Sequence, residues 1–440
     1  MILGIGFDDP FLVGLIGLFG LFGLVLLGVR VVFAAATIGL FGLVELLGWG
    51  PAAGIVGTIP HAKSSTYALS VLPMFIFIGF IAFHAGMTQQ LFDAARKWVG
   101  WMPGGLAVAT VFATAGFAAV SGASTATAAV FSRVAIPEML KYGYDKKLAA
   151  GVVAAGGTLA SLIPPSAILV IYAIIVEESV GELLLAGFLP GAVSALIYAA
   201  IIIVWALFRP GDAPSVGGYT WSERVLSLPG ISPIFIVVLI IMSAIYNGWA
   251  TPTEAGALGA MVIFCMALMR GTRIATIRDA LMESAKLTVM IFSLIWGVLI
   301  FVRFLGFSGL PEAFTSWILT LDASPMVIMI CILIGYSLLG MFMDAIGMLL
   351  LTLPVVYPAV IALGFDSIWF GIIVVKMAEV CLITPPIGLN CFVVNGVRPD
   401  ISLTQVFRGI ALFFVADVIT IGLLLAFPEI VTWLPDLMRG

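Results

Sequence analysis

The sequence predicts an all-α polytopic membrane protein made of two inverted repeats, each with five spans and a re-entrant helical hairpin. Three observations predict it: an apolar composition, long apolar runs without strand alternation, and a repeat at one fixed distance. Of the 440 residues, 62% are hydrophobic and 10% are charged, whereas soluble domains carry about 25% charged residues. Many apolar runs reach the roughly 20 residues that a helix needs to cross the hydrocarbon core. Most of the surface must therefore face lipid or other helices.

The N-terminus and the cysteines exclude several other classes. The segment MILGIGFDDP at residues 1–10 lacks the basic region and the cleavage site of a signal peptide, so we expect the first span to be retained. Four cysteines lie in apolar segments without metal-ligand spacing, and we therefore expect neither disulfides nor zinc. The chain carries no nucleotide-phosphate loop.

A repeat with a constant offset organises the chain. Pro164-Pro165 recurs 221 residues later as Pro385-Pro386, and the same offset carries the GYD triplet at 143–145 onto GFD at 364–366. One shift that superposes rare residues over nearly half the chain predicts two units, at 1–208 and 231–440, with a linker at 209–230. Such repeats are typical of secondary transporters, and energy for transport must then come from an ion gradient or a partner.

Each unit is predicted to contain the same series of elements. In the first unit an interfacial stretch lies at 89–101, and the spans, the two-armed hairpin and the broken span lie at 11–29, 31–49, 67–88, 103–142 (hairpin), 147–176 (broken) and 183–208. The second unit repeats them at 232–250, 252–270, 282–305, 325–363 (hairpin), 367–395 (broken) and 404–427. An odd number of crossings inverts the second unit relative to the first.

The charges at the hairpin ends agree with this inversion. The open end of the first hairpin is basic, with Arg133, Lys141, Lys146 and Lys147. The corresponding end of the second carries Asp322 and Asp366. By the positive-inside rule the first hairpin opens to the cytoplasm and the second to the outside.

The centres of the two hairpins are candidate binding segments. The first reads SGASTAT at 121–127, where hydroxyls and freed carbonyls could replace the water around Na⁺; the alternative is a small-residue helix interface. The second places Asp344 opposite Ala123. A carboxylate at membrane depth indicates function, and the alternative is a hairpin cap satisfied by local amides.

The proline pairs and one charged pair lie in the broken spans. Two consecutive prolines remove two amide donors, so that preceding carbonyls become potential ligands for a hard cation; the alternative is a simple kink. Lys376 and Glu379 lie at i and i+3 and can form an ion pair. That interpretation is preferred slightly over contact of Lys376 with a substrate carboxylate.

Several segments resemble one known family, the large membrane (M) subunit of tripartite ATP-independent periplasmic (TRAP) transporters, in the ion-transporter superfamily. The resemblance is carried by TPTEAG at 251–256, LIPPS at 162–166, LITPPIGLN at 382–390 and SGASTAT at 121–127. It extends over essentially the whole chain in length and in the order of elements.

The resemblance implies a function. It implies a permease, not an enzyme, for Na⁺-coupled import of an organic acid: a C4-dicarboxylate, a 2-oxo acid or a sugar acid. It also implies a periplasmic substrate-binding protein (P-type), a small four-helix membrane subunit (Q-type) and a multi-pass location in the bacterial inner membrane. The transport domain with both hairpins would slide against a scaffold as an elevator, with Na⁺ as coupling ion and no organic cofactor.

Carried onto this sequence, the resemblance implies two Na⁺ sites and a substrate site. The first Na⁺ site would comprise Ser121, Gly122, Ser124, Thr125, Thr158 and Pro164. The second would comprise Gly340, Asp344, Thr384 and Pro385. The substrate site would comprise Ser124, Ser161, Ser166, Lys376, Asn390 and Asn395.

Two other functions compete with this one. A stand-alone Na⁺/anion symporter of similar architecture would need no binding protein. An intramembrane hydrolase using Asp344 or Glu379 would need a second catalytic carboxylate or a Ser–His pair at depth. His61 falls in a predicted loop and His84 near a membrane face, which disfavours the hydrolase.

Overall fold

The computed structural model describes residues 9–439, and within that range every regular element is a helix. Seven of the described helices are long and apolar enough to cross a membrane, and five shorter apolar helices accompany them. The chain is thus a polytopic α-helical membrane protein. The prediction that no signal peptide is present concerns mainly residues 1–8, which lie outside the described range.

The described part of the first half forms ten α-helices, which are numbered here in chain order. A 3₁₀ turn at Tyr67–Ser70 precedes α4, and another at Leu159–Ser161 follows α8. The helices are α1 Pro10–Leu26, α2 Val31–Leu47, α3 Trp49–Ser64, α4 Val71–His84, α5 Met87–Val99, α6 Gly105–Ser121, α7 Ser124–Lys141, α8 Lys146–Thr158, α9 Ala167–Val176 and α10 Val180–Phe208.

The second half begins with a short helix in the predicted linker and ends with a helix that no prediction covers. The helices are α11 Trp221–Val225, α12 Leu228–Tyr246, α13 Pro252–Met269, α14 Ile274–Ser308, α15 Leu310–Leu319, α16 Pro325–Gly340, α17 Ala345–Ala362, α18 Ser367–Cys381, α19 Leu389–Val397, α20 Leu403–Ala426 and α21 Glu429–Arg439.

Helix bounds in the two halves correspond at the offset of the proline pairs. Helix α7 runs from 124 to 141 and α17 from 345 to 362, so both ends are 221 residues apart. Helices α8 and α18 begin at 146 and 367, again 221 apart, and each is capped by an aspartate, Asp145 or Asp366. In each unit the aspartate side chain accepts hydrogen bonds from backbone amides of the first turn and so fixes the start of the helix.

Packing between the halves is reciprocal. Helix α2 packs along α14, and α13, which corresponds to α2, packs along α4. Likewise α7 contacts α19, while α17 contacts α9. The second arm of each hairpin therefore lies against the second half of the other unit's broken span.

Several helix bounds differ from those that the apolar runs predict. Helix α3 covers a segment to which no element was assigned, because its glycines and its internal Pro60 resemble loop sequence. His61, expected in a loop, therefore lies in the last turn of a helix. Helix α14 begins at Ile274 instead of 282, since its polar first turns extend beyond the apolar run.

The linker between the halves is attached to the open end of the first hairpin. Backbone amides of Gly104 and Asp145 donate to the carbonyls of Ala213 and Asp212, 3.2 and 2.9 Å away. The Tyr144 hydroxyl accepts from the Leu106 amide at 3.0 Å and donates to the Pro214 carbonyl at 2.8 Å. The linker thus joins the beginning of α6 to the end of α7.

Candidate ion and substrate site

The tip of the first hairpin is a tight turn that lies on the first proline pair. Gly122 adopts a positive φ of 57° and ends α6, and its amide donates to Ala118. Ala123 is extended, and α7 begins at Ser124. A β-carbon on Gly122 would lie 2.7 Å from the Pro165 carbonyl oxygen. Only glycine fits this turn, because it must combine a left-handed backbone with close approach to another chain segment.

Ser124 joins the hairpin to the break in the first broken span. Its hydroxyl oxygen lies 2.6 Å from that of Ser161, in the 3₁₀ turn before the prolines. A β-carbon on Gly157 would lie 3.0 Å from the Ser124 carbonyl oxygen, so the end of α8 also reaches the tip. The structure therefore brings together Ser124, Ser161 and Gly122 with the proline pair.

The first proline pair redirects backbone carbonyls. Pro164 and Pro165 have no amide hydrogen, so the carbonyls four residues earlier lack their usual helical donors. The Ser161 carbonyl accepts the Ser166 hydroxyl instead, and Ser166 also caps α9 by accepting from the Leu169 amide. These residues are all buried. The broken span is a true interruption, with a new helix start among buried residues.

Other predicted members of the first ion site are placed less favourably. The Thr158 hydroxyl donates to the Ala155 carbonyl, 2.7 Å away within α8. Thr125 is exposed on the far side of α7. Thr127, which was not assigned to the site, lies 2.9 Å from the Ser121 hydroxyl instead. The sequence spacing could have identified Thr127, since Ser124 and Thr127 are three residues apart and share a helix face.

The second hairpin tip packs against the end of α18. Gly340 ends α16, and a β-carbon there would overlap the Cys381 sulfur. Asp344 caps α17, and its carboxylate accepts the Gly347 amide at 3.0 Å. The hairpin-cap geometry is therefore present, and the carboxylate is half-buried. A role for Asp344 in ion binding stays a prediction.

At the second proline pair a backbone carbonyl before the prolines also accepts a non-helical donor, but the prolines are exposed. The Leu382 carbonyl, which corresponds to Ser161 at the offset of 221, accepts the Asn390 amide at 3.0 Å. The Thr384 hydroxyl donates to the Cys381 carbonyl at 3.4 Å. Pro385 and Pro386 are exposed, unlike the first pair. The two breaks are thus alike in backbone chemistry and unlike in enclosure.

The two predicted substrate asparagines are placed differently. The Asn390 side-chain amide donates to the Ala154 carbonyl of α8 at 3.0 Å, and its side-chain oxygen has no hydrogen-bond partner among the described residues. Asn390 therefore links the two halves next to the first break. The Asn395 amide donates to the Ile401 carbonyl, beyond the end of α19. Among the described residues, the Asn395 side chain forms no hydrogen bond with either hairpin tip.

Lys376 is enclosed in an ion-pair cluster. Its ammonium nitrogen lies 2.8 Å from a Glu379 oxygen and 2.8 Å from an Asp417 oxygen, and all three side chains are 0% exposed. The preferred interpretation, an ion pair with Glu379, is confirmed. Contact between Lys376 and a substrate stays a prediction that this enclosure does not favour. Asp417 was missed, although a lone carboxylate in the apolar run 404–427 is the signal that singled out Asp344.

Two cavities flank the hairpins. One of about 200 Å³ lies between α4 and the first hairpin, and its lining includes Ser121, Ala123, Arg133 and Glu283. The other, of about 780 Å³, lies between α14 and the second hairpin, and its lining includes Arg303. The smaller cavity reaches the first hairpin tip, and its lining includes the cationic side chain of Arg133.

The TPTEAG segment begins helix α13. The Thr251 amide and hydroxyl both donate to the Glu254 carboxylate at 2.8 Å, and the Thr251 hydroxyl in turn caps the Glu254 amide. This capping box, with Pro252 in the first turn, fixes the start of α13. Its role in the structure is to start α13, which packs along α4.

Comparisons with known proteins agree with this architecture. The chain matches the family model of the tripartite ATP-independent periplasmic transporter, DctM component, over residues 18–430. It is 33% identical over 431 residues to the C4-dicarboxylate TRAP transporter large permease protein DctM of Vibrio cholerae, covering 92% of this chain and 94% of that protein. Its identity to the protein of the same name from Pseudomonas aeruginosa is 36% over 336 residues, 76% of this chain and 78% of that protein.

A solved structure supports the fold at low sequence identity. The chain is similar to the YdaH transporter of Alcanivorax borkumensis, with a TM-score of 0.59, 12% identity, and coverage of 86% of this chain and 90% of that one. The matched relatives are transport permeases and not enzymes, which removes the hydrolase alternative. The chain belongs to the DctM family, the large permease subunits of tripartite ATP-independent periplasmic transporters.

Proposed function

We propose that this chain is the permease subunit of a Na⁺-coupled transporter that imports a small organic acid across the bacterial inner membrane. A C4-dicarboxylate is the first class to test, since both relatives described above are named for it. A periplasmic binding protein would deliver the acid, and a small four-helix membrane subunit would support this chain. Family membership supports both partners.

One observation carries the proposal: the first hairpin tip and the first broken span meet through oxygen-rich, buried contacts. Ser124 and Ser161 bring two hydroxyl oxygens to the place where the prolines free backbone carbonyls. Hydroxyl and carbonyl oxygens are the ligands that hard cations prefer. A dehydrated Na⁺ bound there would join the hairpin to the broken span and complete the adjoining substrate surface.

The two halves also support movement as an elevator with inverted units. Corresponding helices have corresponding bounds and reciprocal contacts, and the charges at the two open hairpin ends differ in sign. We propose that the hairpins and broken spans move together against the remaining helices. The cavities beside each hairpin would give the site access from opposite sides in turn.

Reconstituted uptake tests the proposal. This chain and its small partner subunit are placed in proteoliposomes, and entry of labelled succinate is measured with and without an inward Na⁺ gradient and with and without the cognate binding protein. Labelled pyruvate is tested in parallel as a 2-oxo acid, and labelled gluconate as a sugar acid. We expect uptake only when the gradient and the binding protein are both present.

The other outcomes discriminate between functions. Uptake that needs Na⁺ but no binding protein would support a stand-alone anion symporter. Uptake that needs the binding protein but is unchanged when K⁺ replaces Na⁺ would contradict the coupling ion and leave the family assignment intact.

A further inference from the structure

A cluster of four buried side chains joins three helices near the second break. Lys376 and Glu379 come from α18, Asp417 from α20 and Tyr198 from α10, and we call them the buried charge cluster. The Tyr198 hydroxyl donates to the same Asp417 oxygen that lies beside Lys376, at 2.6 Å. All four side chains are 0% exposed. Nothing in the proposed transport cycle uses this cluster.

The charges in the cluster do not balance when both carboxyl groups are ionised. One ammonium then faces two carboxylates, which leaves a net charge of −1 among apolar helices. In the described part of the chain, the charged or titratable groups that face Glu379 are Lys376, Asp417 and Tyr198. An unbalanced buried charge costs several kcal/mol even after relaxation. One additional positive charge would remove that cost.

Hydrogen bonding indicates where that charge binds. One Asp417 oxygen receives donors from both Lys376 and Tyr198, which favours its ionised form. Among the described residues, the Glu379 side chain accepts a hydrogen bond only from Lys376, on Oε2. Glu379 Oε1 and Asp417 Oδ2 are buried and have no hydrogen-bond partner among the described residues. Buried carboxylate oxygens without a donor are rare. A proton can bind at Glu379 Oε1 and neutralise that carboxylate without the several oxygen ligands that a metal cation requires.

We propose that the buried charge cluster is a proton-binding site, and that Glu379 holds the proton at neutral pH. With Glu379 neutral, Lys376 and Asp417 form a balanced ion pair. Loss of the proton at alkaline pH would leave a negative charge between α10, α18 and α20. Helix α18 also carries Cys381, which packs against Gly340 of the second hairpin tip. Deprotonation would therefore weaken the support of that tip. The proposal does not rest on Na⁺ coupling or on the identity of the substrate.

Infrared difference spectroscopy tests the proton directly. The purified full chain in lipid nanodiscs is compared at neutral and alkaline pH, and the carbonyl stretching band of a protonated carboxyl group is followed. We expect the band at neutral pH in the wild type. Glu379→Gln and Asp417→Asn should each abolish it, because each leaves one carboxylate against one ammonium. Asp400→Asn is the control: Arg398 holds the pKa of Asp400 at about 2 by hydrogen bonding, so Asp400 contributes no such band.

Several results would overturn the proposal. They are the absence of the band in the wild type, its persistence in either cluster variant, or its presence only when choline replaces Na⁺, which would assign the cluster to a sodium ion. Thermal unfolding gives a second readout if one variant folds poorly. Because the folded state holds the proton at pH values where the unfolded chain has lost it, wild-type stability should fall as pH rises towards the midpoint of the band and level off above it. Glu379→Gln should lack that decline, and matching pH profiles of the two proteins would reject the site.

Discussion

Gly122 lies so close to Pro165 that a single added methyl group would meet the proline carbonyl oxygen at 2.7 Å. The hairpin tip and the broken span therefore touch through backbone, at a position where no side chain can be accommodated. Interfaces of this kind have little freedom to adapt, because main-chain atoms cannot change rotamer. The contact should hold the tip at one distance from the residues that we propose to bind Na⁺.

Gly122→Ala should impair uptake by more than its backbone strain explains. A left-handed alanine costs about 1–2 kcal/mol by itself. Gly143→Ala is the matched control, because Gly143 has a φ of 83° but nothing lies within 4 Å of its added β-carbon. We expect Gly143→Ala to lower only the unfolding temperature. Gly122→Ala should also raise the Na⁺ concentration needed for half-maximal uptake, and equal effects of the two variants would contradict the contact.

Ser124→Ala should weaken Na⁺ activation without loss of assembly. The substitution removes one of the two hydroxyl oxygens that meet at the tip. One such interaction contributes about 0.5–1.5 kcal/mol, a change of roughly 2- to 13-fold in the half-saturating Na⁺ concentration. Ser132→Ala serves as control, because that buried hydroxyl on the same helix only donates to Ala128. Wild-type Na⁺ activation in Ser124→Ala would show that the first site lies elsewhere.

How far the sequence predicts this site depends on the kind of residue. Glycine and proline have backbone properties that no other residue shares. Gly122 and the proline pairs could therefore be identified as candidate interruptions from the sequence. The choice between Thr125 and Thr127 depends on where α7 begins, since a shift of one residue rotates every later side chain by about 100°. The start at Ser124, together with the broken span in contact with that face, is set by tertiary packing that the sequence alone does not display.

Asp417 shows a different reason for a missed residue. Its partners Lys376 and Tyr198 are 41 and 219 positions away, and no periodicity connects them. Lys376 therefore had only one visible partner, Glu379 at i+3. The structure adds the second carboxylate, which changes the Lys376–Glu379 pair from a balanced contact into part of a site with excess negative charge.

Asp344 allows its two interpretations to be separated by substitution. Asparagine is as good a helix cap as aspartate but carries no charge. Asp344→Asn should therefore leave the cap on the Gly347 amide intact and still raise the half-saturating Na⁺ concentration, if the carboxylate binds the ion. Asp344→Ala should show the same loss and also lower stability by about 0.5–2 kcal/mol. Wild-type Na⁺ activation in Asp344→Asn would leave Asp344 with a capping role alone.

Tyr144→Phe should detach the linker from the first hairpin. The Leu106 amide and the Pro214 carbonyl would each lose a partner, at about 1–3 kcal/mol for a buried group left unsatisfied. Burial raises the pKa of Tyr144 to about 12. The stability that depends on its neutral hydroxyl is thus complete below pH 10, the ordinary value, and is lost as pH rises towards 12.

Limited proteolysis and thermal unfolding measure this effect. Cleavage within 209–220 should be faster in Tyr144→Phe, and the wild-type excess in stability over this variant should shrink above pH 10. Tyr142→Phe is the control, because Tyr142 is exposed in the same loop. Equal cleavage rates in the two variants would show that the hydroxyl does not retain the linker.

Inversion of the repeat predicts that the two hairpin ends lie on opposite sides of the membrane. Lys141 and Ala362 are the last residues of α7 and α17, lie 221 positions apart and are both exposed. In a background without the exposed Cys265 and Cys331, Lys141→Cys and Ala362→Cys can each be treated with a membrane-impermeant maleimide. We expect Ala362→Cys to react in cells with a permeabilised outer membrane, and Lys141→Cys to react only in inside-out vesicles. Because the two sites correspond in helix position and exposure, a difference between them reports the side of the membrane. Reaction of both from the same side would mean that the units are parallel, and the elevator with inverted repeats would have to be abandoned.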